Sequence, residues 1–221
     1  MNASITEIIS PIKLLVGHRS DTKKTGHGCF MDVISYLNGD AQITDESECV
    51  CPVIRTIAIY LNDLLNDEQR YRLLPFVERA MGTSNAPIKT IVARSKIAVK
   101  FSTACKNICN NSDISAANSA AIWASNNAEI SCHDDFKIFY AIRAARHAVK
   151  GASIFFNTSG YVVNMDWALQ DYFIKKQKII EAMIECLEEM CPPSEVNDTT
   201  VIQRAYEFTE IYKQTVYLTK A

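Results

Sequence analysis

The sequence predicts an all-α protein of roughly eight helices in an irregular bundle, and three observations carry that expectation. Only 7 glycines and 6 prolines occur in 221 residues, too few for a turn-rich β architecture. Apolar residues recur at helical spacing through most of the chain, and no run alternates convincingly at strand spacing. Turn and cap residues, Asn38-Gly39, Asn110-Asn111 and Asp198 among them, fall between the periodic segments rather than inside them.

The first helix runs from Cys29 to Leu37, with Phe30, Val33, Ile34 and Leu37 on one face and Asn38-Gly39 as its stop. The polar stretch from Gly39 to Glu48, with Asp40, Asp45, Glu46 and Glu48, reads as a loop. Pro52 suits the first turn of a second helix through Ile54, Ile57, Ala58, Leu61 and Leu65, where a missing amide costs nothing. A third helix is expected from Asp67 to Gly82, interrupted or kinked at Pro75. The turn formers from Gly82 to Pro87 then mark a boundary between two helical subdomains, 1–83 and 84–221.

Beyond the boundary, Ile88 to Cys109 forms a helix carrying Ile91, Val92, Val99 and Ile108 among lysines and arginines. The Asn110 to Asp113 run ends it and caps an alanine-rich helix with Trp123 embedded, whose small residues suit close helix packing. Ser131 is expected to cap the next helix, Cys132 to Phe156, with Asp134 and Asp135 favourably placed against its positive end. Ser159-Gly160 reads as a turn, with a short hairpin over 152–164 as the alternative. A long helix from Asn164 or Asp166 to Met190 follows, closed by Pro192-Pro193, and Asp198 caps a last helix from Thr200 to Tyr217.

Composition narrows the function classes. A hydrophobic content of 48 % and a net charge of −2 describe an ordinary globular chain with no global pull toward nucleic acid or anionic membrane. The N-terminal stretch lacks a basic start leading into a long apolar run, so a cytoplasmic setting without membrane contact is expected. There, the 8 cysteines are read as free thiols rather than a disulfide framework.

Three cysteines sit in one block. Cys29 starts a helix, where exposed amides would favour a thiolate, and His27 is close in sequence; a thiol enzyme centred on Cys29 is therefore one reading. Cys29, Cys49, Cys51 and His27 could also form a zinc set of three sulfurs and one nitrogen, although Cys-x-Cys is a tight spacing for structural zinc. The structural reading, buried cysteines without metal or cofactor, is preferred to both.

Charge is segregated along the chain. No acidic residue lies between Glu78 and Asp113, where Arg94, Lys96 and Lys100 occur, nor between Asp135 and Asp166, where Arg143 and Arg146 occur. A nucleic-acid-associated protein using basic helices 88–109 and 136–150 is a second reading.

The residues Cys29-Phe30-Met31-Asp32, Tyr36, Gly39, Cys49-Val50-Cys51-Pro52, Leu61-Asn62-Asp63, Arg72-Leu73-Leu74-Pro75 and Gly82-Thr83 form a recognisable pattern. It resembles a segment of an uncharacterised family of bacterial and phage proteins, in which an alanine- and tryptophan-containing helical tail follows. The resemblance implies a bacterial or phage accessory protein and transfers no catalytic residue. The leading expectation is a non-enzymatic protein that binds a protein partner, plausible as a phage or mobile-element factor that inhibits a host system. Trp123, Tyr172 and Phe173 are its candidate anchors, and homo-oligomerisation is left open.

Overall fold

A computed structural model describes residues 3–109, 111–158, 166–191, 193, 196 and 198–218, with the side chains at 158 and 166–169 outside the description. The fold is all-α, and among the described residues there is no strand. Ten α-helices follow in order: α1 Ile5–Ile9, α2 Thr22–Thr25, α3 Phe30–Asn38, α4 Pro52–Leu64, α5 Leu74–Ala80, α6 Ile88–Cys109, α7 Ser112–Ile130, α8 Asp134–Thr158, α9 Asp166–Met190 and α10 Thr199–Leu218. Short 3-10 turns at Arg70–Leu73 and Thr83–Asn85 flank α5. The two helices beyond the expected set, α1 and α2, are single short turns, too brief for apolar periodicity to reveal. No helix among the described residues is long and apolar enough to cross a membrane.

Cap chemistry accounts for the starts of α7 and α10 and corrects one expectation. Asn111 accepts from the amides of Asp113 and Ile114 at the start of α7, and Asp198 accepts from the amide of Thr200 at the start of α10, both as its residue type requires. Ser131, expected to start α8, instead closes α7, donating from its amide and its hydroxyl to the Asn127 carbonyl. Serine can satisfy either end of a helix, so the residue type alone did not decide. At Pro75 the expected interruption is present: a 3-10 turn ends at Leu73, and α5 begins at Leu74 with Pro75 in its first turn. The hairpin considered for 152–164 is not formed over 152–158, which continue α8, and 159–165 lie outside the described residues.

Packing divides the chain into two units. The first comprises Met1–Cys51, Ala58–Asn85 and Cys191–Ala221, so the C-terminal helix packs with the N-terminal ones. Helix α10 lies against α1, α2 and α3, burying Phe208 and Ala205 with Ile5, Ile9, Phe30 and Ile34 in one core. Close approach is paid for at Gly26, whose φ of +65° is the left-handed region and whose missing Cβ would lie 2.4 Å from the Tyr212 amide nitrogen. Polar groups in this unit are bridged across sequence: Asn62 accepts from the Phe30 amide and donates to the Leu15 carbonyl.

The second unit, Pro52–Ile57 with Ala86–Met190, is built on close helix contacts. Helices α7 and α8 meet through small residues: Ala117, Ala121, Ala124 and Ala128 on one, Ala141, Ala144, Ala148 and Ala152 on the other, all buried. A Cβ at Gly151 would sit 3.6 Å from the Ala117 Cβ, ordinary contact distance for two backbones drawn together. Helix α6 joins this pair, with the Ser95 and Ser125 hydroxyls hydrogen-bonded at 2.9 Å inside the interface. Because alanines occupy the inner faces, the large side chains of α7 and α8 are left for the outer ones.

Candidate functional site

The cysteine block does not assemble into a centre. Cys29 immediately precedes α3 and Cys51 immediately precedes α4, where the Cys51 amide donates to the Thr83 hydroxyl. Both thiols are buried, and Cys49, half-buried, contacts the Ser47 hydroxyl at 3.3 Å. His27 packs edge-on against the Tyr212 ring. Among the described residues no three His, Cys, Asp or Glu side chains come together as metal ligands, so Cys29, Cys49, Cys51 and His27 do not form the zinc set their sequence suggested.

Electrostatics oppose a thiolate at Cys29. Burial pushes its thiol up to about 12, and the Asp32 carboxylate three residues on adds to the rise. The helix-start amides that would favour the anion are outweighed, because desolvating a thiolate beside a carboxylate costs more than a helix terminus returns. Burial also raises the thiols of Cys49 and Cys105 and lowers His27, beside which Arg19 adds like charge. Iodoacetamide at neutral pH is therefore expected to modify exposed Cys132 in the native protein and to reach Cys29 and Cys51 only on unfolding, as peptide mapping of labelled sites would show. Native labelling of Cys29 at the Cys132 rate would overturn this assignment.

The two basic helices separate in character. On α6, Arg94 is buried with its Nε donating to the Met190 carbonyl, Lys96 pairs with Glu129, and Lys100 pairs with Glu189. Two of its lysines are thus paired with carboxylates from α7 and α9, which sequence distance had concealed. On α8, Arg143 and Arg146 are exposed, and no carboxylate pairs with either among the described residues.

Around these arginines lies an aromatic surface. Trp123 of α7 is 51 % exposed, and Phe136 and Phe139 of α8 are 56 % and 54 % exposed. The Trp123 ring meets Tyr140 edge-on at 5.6 Å, Tyr140 meets Phe139 at 5.3 Å, and the Arg143 guanidinium lies 5.5 Å over Trp123. Ile130, one further turn pair along α7 from Trp123, is also exposed. Of the other candidate anchors, Phe173 is exposed while Tyr172 is half-buried, stacked on Phe155 at 5.3 Å. Sequence reading named Trp123 and missed Phe136, Phe139 and Tyr140. Their signal was available: they lie off the stripe of Ala141, Ala144, Ala145 and Ala148, and a helix that buries its alanines must present its large residues outward.

Comparison with protein-family models, with curated proteins and with solved structures finds no match to this chain.

Proposed function

We propose that this chain is a protein-binding protein rather than an enzyme, engaging its partner through the outer face of α7 and α8. One observation supports this above the rest: exposed Trp123 and Phe139 both contact the half-buried Tyr140 ring, Arg143 lies over Trp123, and exposed Phe136 stands one turn away on α8. Tryptophan, tyrosine and arginine are the side chains that dominate interface energetics, because they bury large area at small entropic cost and still offer polar ends. Leaving such rings in water is unfavourable by about 25 cal/mol for each Å² of apolar surface, so a partner that covers them gains that term. The buried Cys29 thiol, pushed up to about 12, supports the non-enzymatic half of the reading. In the setting implied by the resemblance of residues 29–83, the partner belongs to a host system that the protein inhibits.

The test uses the full chain, tagged and expressed in its native cell. A discrete partner is expected to co-purify with the wild type and to fall at least about tenfold with Trp123→Ala plus Phe139→Ser, two hot-spot truncations of roughly 1–2 kcal/mol each. Tyr71→Ala, which removes an exposed ring from the other packing unit, leaves capture unchanged. Equal capture by all three proteins contradicts the proposal.

A further inference from the structure

The aromatic cluster is one end of a longer feature. On α7, Asp113, Ala116, Ala120, Trp123, Asn127 and Ile130 succeed one another at helical spacing, and on α8 Phe136, Tyr140, Arg143, His147, Lys150 and Ile154 do the same. At the end away from the rings the two helices enclose a groove of about 350 Å³, lined by Ala116, Ala117, Ala120, His147, Lys150 and Ile154, with Asp113 at its edge. From Asp113 to Ile130 the strip is about 25 Å long, at 1.5 Å of rise per residue.

Its charge is unbalanced. Arg143, Arg146 and Lys150 project from the same stretch of α8, and none is paired with a carboxylate among the described residues. Arg143 and Lys150 both act on His147, adding to burial in lowering its pKa, and Asp113 is the carboxylate among the residues that line the groove. We infer that the occupant is an acidic amphipathic helical segment of a partner protein, seating apolar side chains on Trp123, Phe136 and Phe139 and carboxylates on Arg143, Arg146 and Lys150. This rests on the protein-binding reading above and specifies its partner.

One observation favours this occupant over a single-stranded nucleic acid, the other ligand that combines anionic charge with apolar faces. Base stacking needs open ring faces, yet the rings here meet edge to face, and the Arg143 guanidinium covers one side of Trp123. A helix is the natural shape for the occupant, because the strip is straight, small-floored and of helical length.

The test measures binding of three fluorescent probes to the whole chain by anisotropy: a peptide of five turns with leucines at helical spacing and glutamates elsewhere, its lysine counterpart, and an oligothymidylate. The glutamate peptide is expected to bind at least about tenfold tighter than the lysine peptide, with affinity falling as salt rises. Arg143→Glu with Arg146→Glu and Lys150→Glu is expected to reverse that order, with circular dichroism confirming the fold. Equal affinity for the two peptides, tighter binding of the oligothymidylate, or self-association that occupies the strip overturns the inference. Failure here with partner capture still lost in the Trp123 and Phe139 variant removes the acidic helix and leaves the protein-binding reading standing; unchanged capture removes that reading itself.

Discussion

Gly26→Ala is expected to destabilise the protein by about 3 kcal/mol or more, equivalent to a fall in Tm of roughly 6–12 °C for a chain of this size. Two terms add. A non-glycine residue at a φ of +65° costs about 1–2 kcal/mol before any contact is made. The added Cβ then lies 2.4 Å from the Tyr212 nitrogen and 2.6 Å from its Cα, and these are backbone atoms of α10 that cannot rotate away. The helix must shift, loosening Ala205, Phe208 and Thr209 from the core they share with α1 and α3. Gly82→Ala isolates the first term: its φ is +74°, but a Cβ there meets nothing within 4 Å, so about 1–2 kcal/mol is expected. Denaturant titration of both variants separates the contributions. Equal losses would mean that α10 does not press on Gly26.

The second large effect belongs to Asp32. Its carboxylate is fully buried and accepts from the Cys29 amide and the Arg19 amide, each at 2.9 Å, and from the His18 ring. It thus closes the first turn of α3 while pinning the chain that precedes α2. Asp32→Ala leaves the buried Cys29 amide and the part-buried Arg19 amide without acceptors, so a loss of about 2–4 kcal/mol is expected. Both amides donate to the same oxygen, Oδ2, so Asp32→Asn can keep both bonds with its amide oxygen there and its NH2 toward the His18 ring, and its loss should be smaller than that of Asp32→Ala. His18→Ala should cost less than Asp32→Ala, because both backbone amides that donate to the Asp32 carboxylate remain. If the His18 and Asp32 variants lost stability equally, the ion pair rather than the backbone bonds would hold this corner.

How much of this was legible in the sequence depends on whether the deciding contact is local. Asn111, Pro52 and Asp198 announced their helices because a cap acts on amides two or three residues away. Ser131 misled because serine suits either end of a helix, and here it closes α7 through the Asn127 carbonyl. The return of α10 to the N-terminal helices carried no local sign, since it rests on pairs such as Gly26 with Tyr212 and Arg204 with the Leu37 carbonyl. The same distinction governs the site. Trp123 and Arg143 could be named one at a time, but their contact joins two helices. Lys96 and Lys100 looked free in sequence and are neutralised by Glu129 and Glu189, residues 33 and 89 positions away. Cys29 gave the opposite lesson: the helix start was read correctly as a position, and burial with Asp32 reversed its chemistry.

The central claim is that the α7–α8 face touches another protein, and contact at single-residue resolution tests it most directly. A photoreactive p-benzoylphenylalanine is placed at Phe139 or, as the control, at Tyr71, and the cells are irradiated. The account predicts a discrete cross-linked adduct from position 139 that disappears with Trp123→Ala, and none from position 71. Adducts of the same size and yield from both positions, or an adduct at 139 indifferent to Trp123, would contradict it.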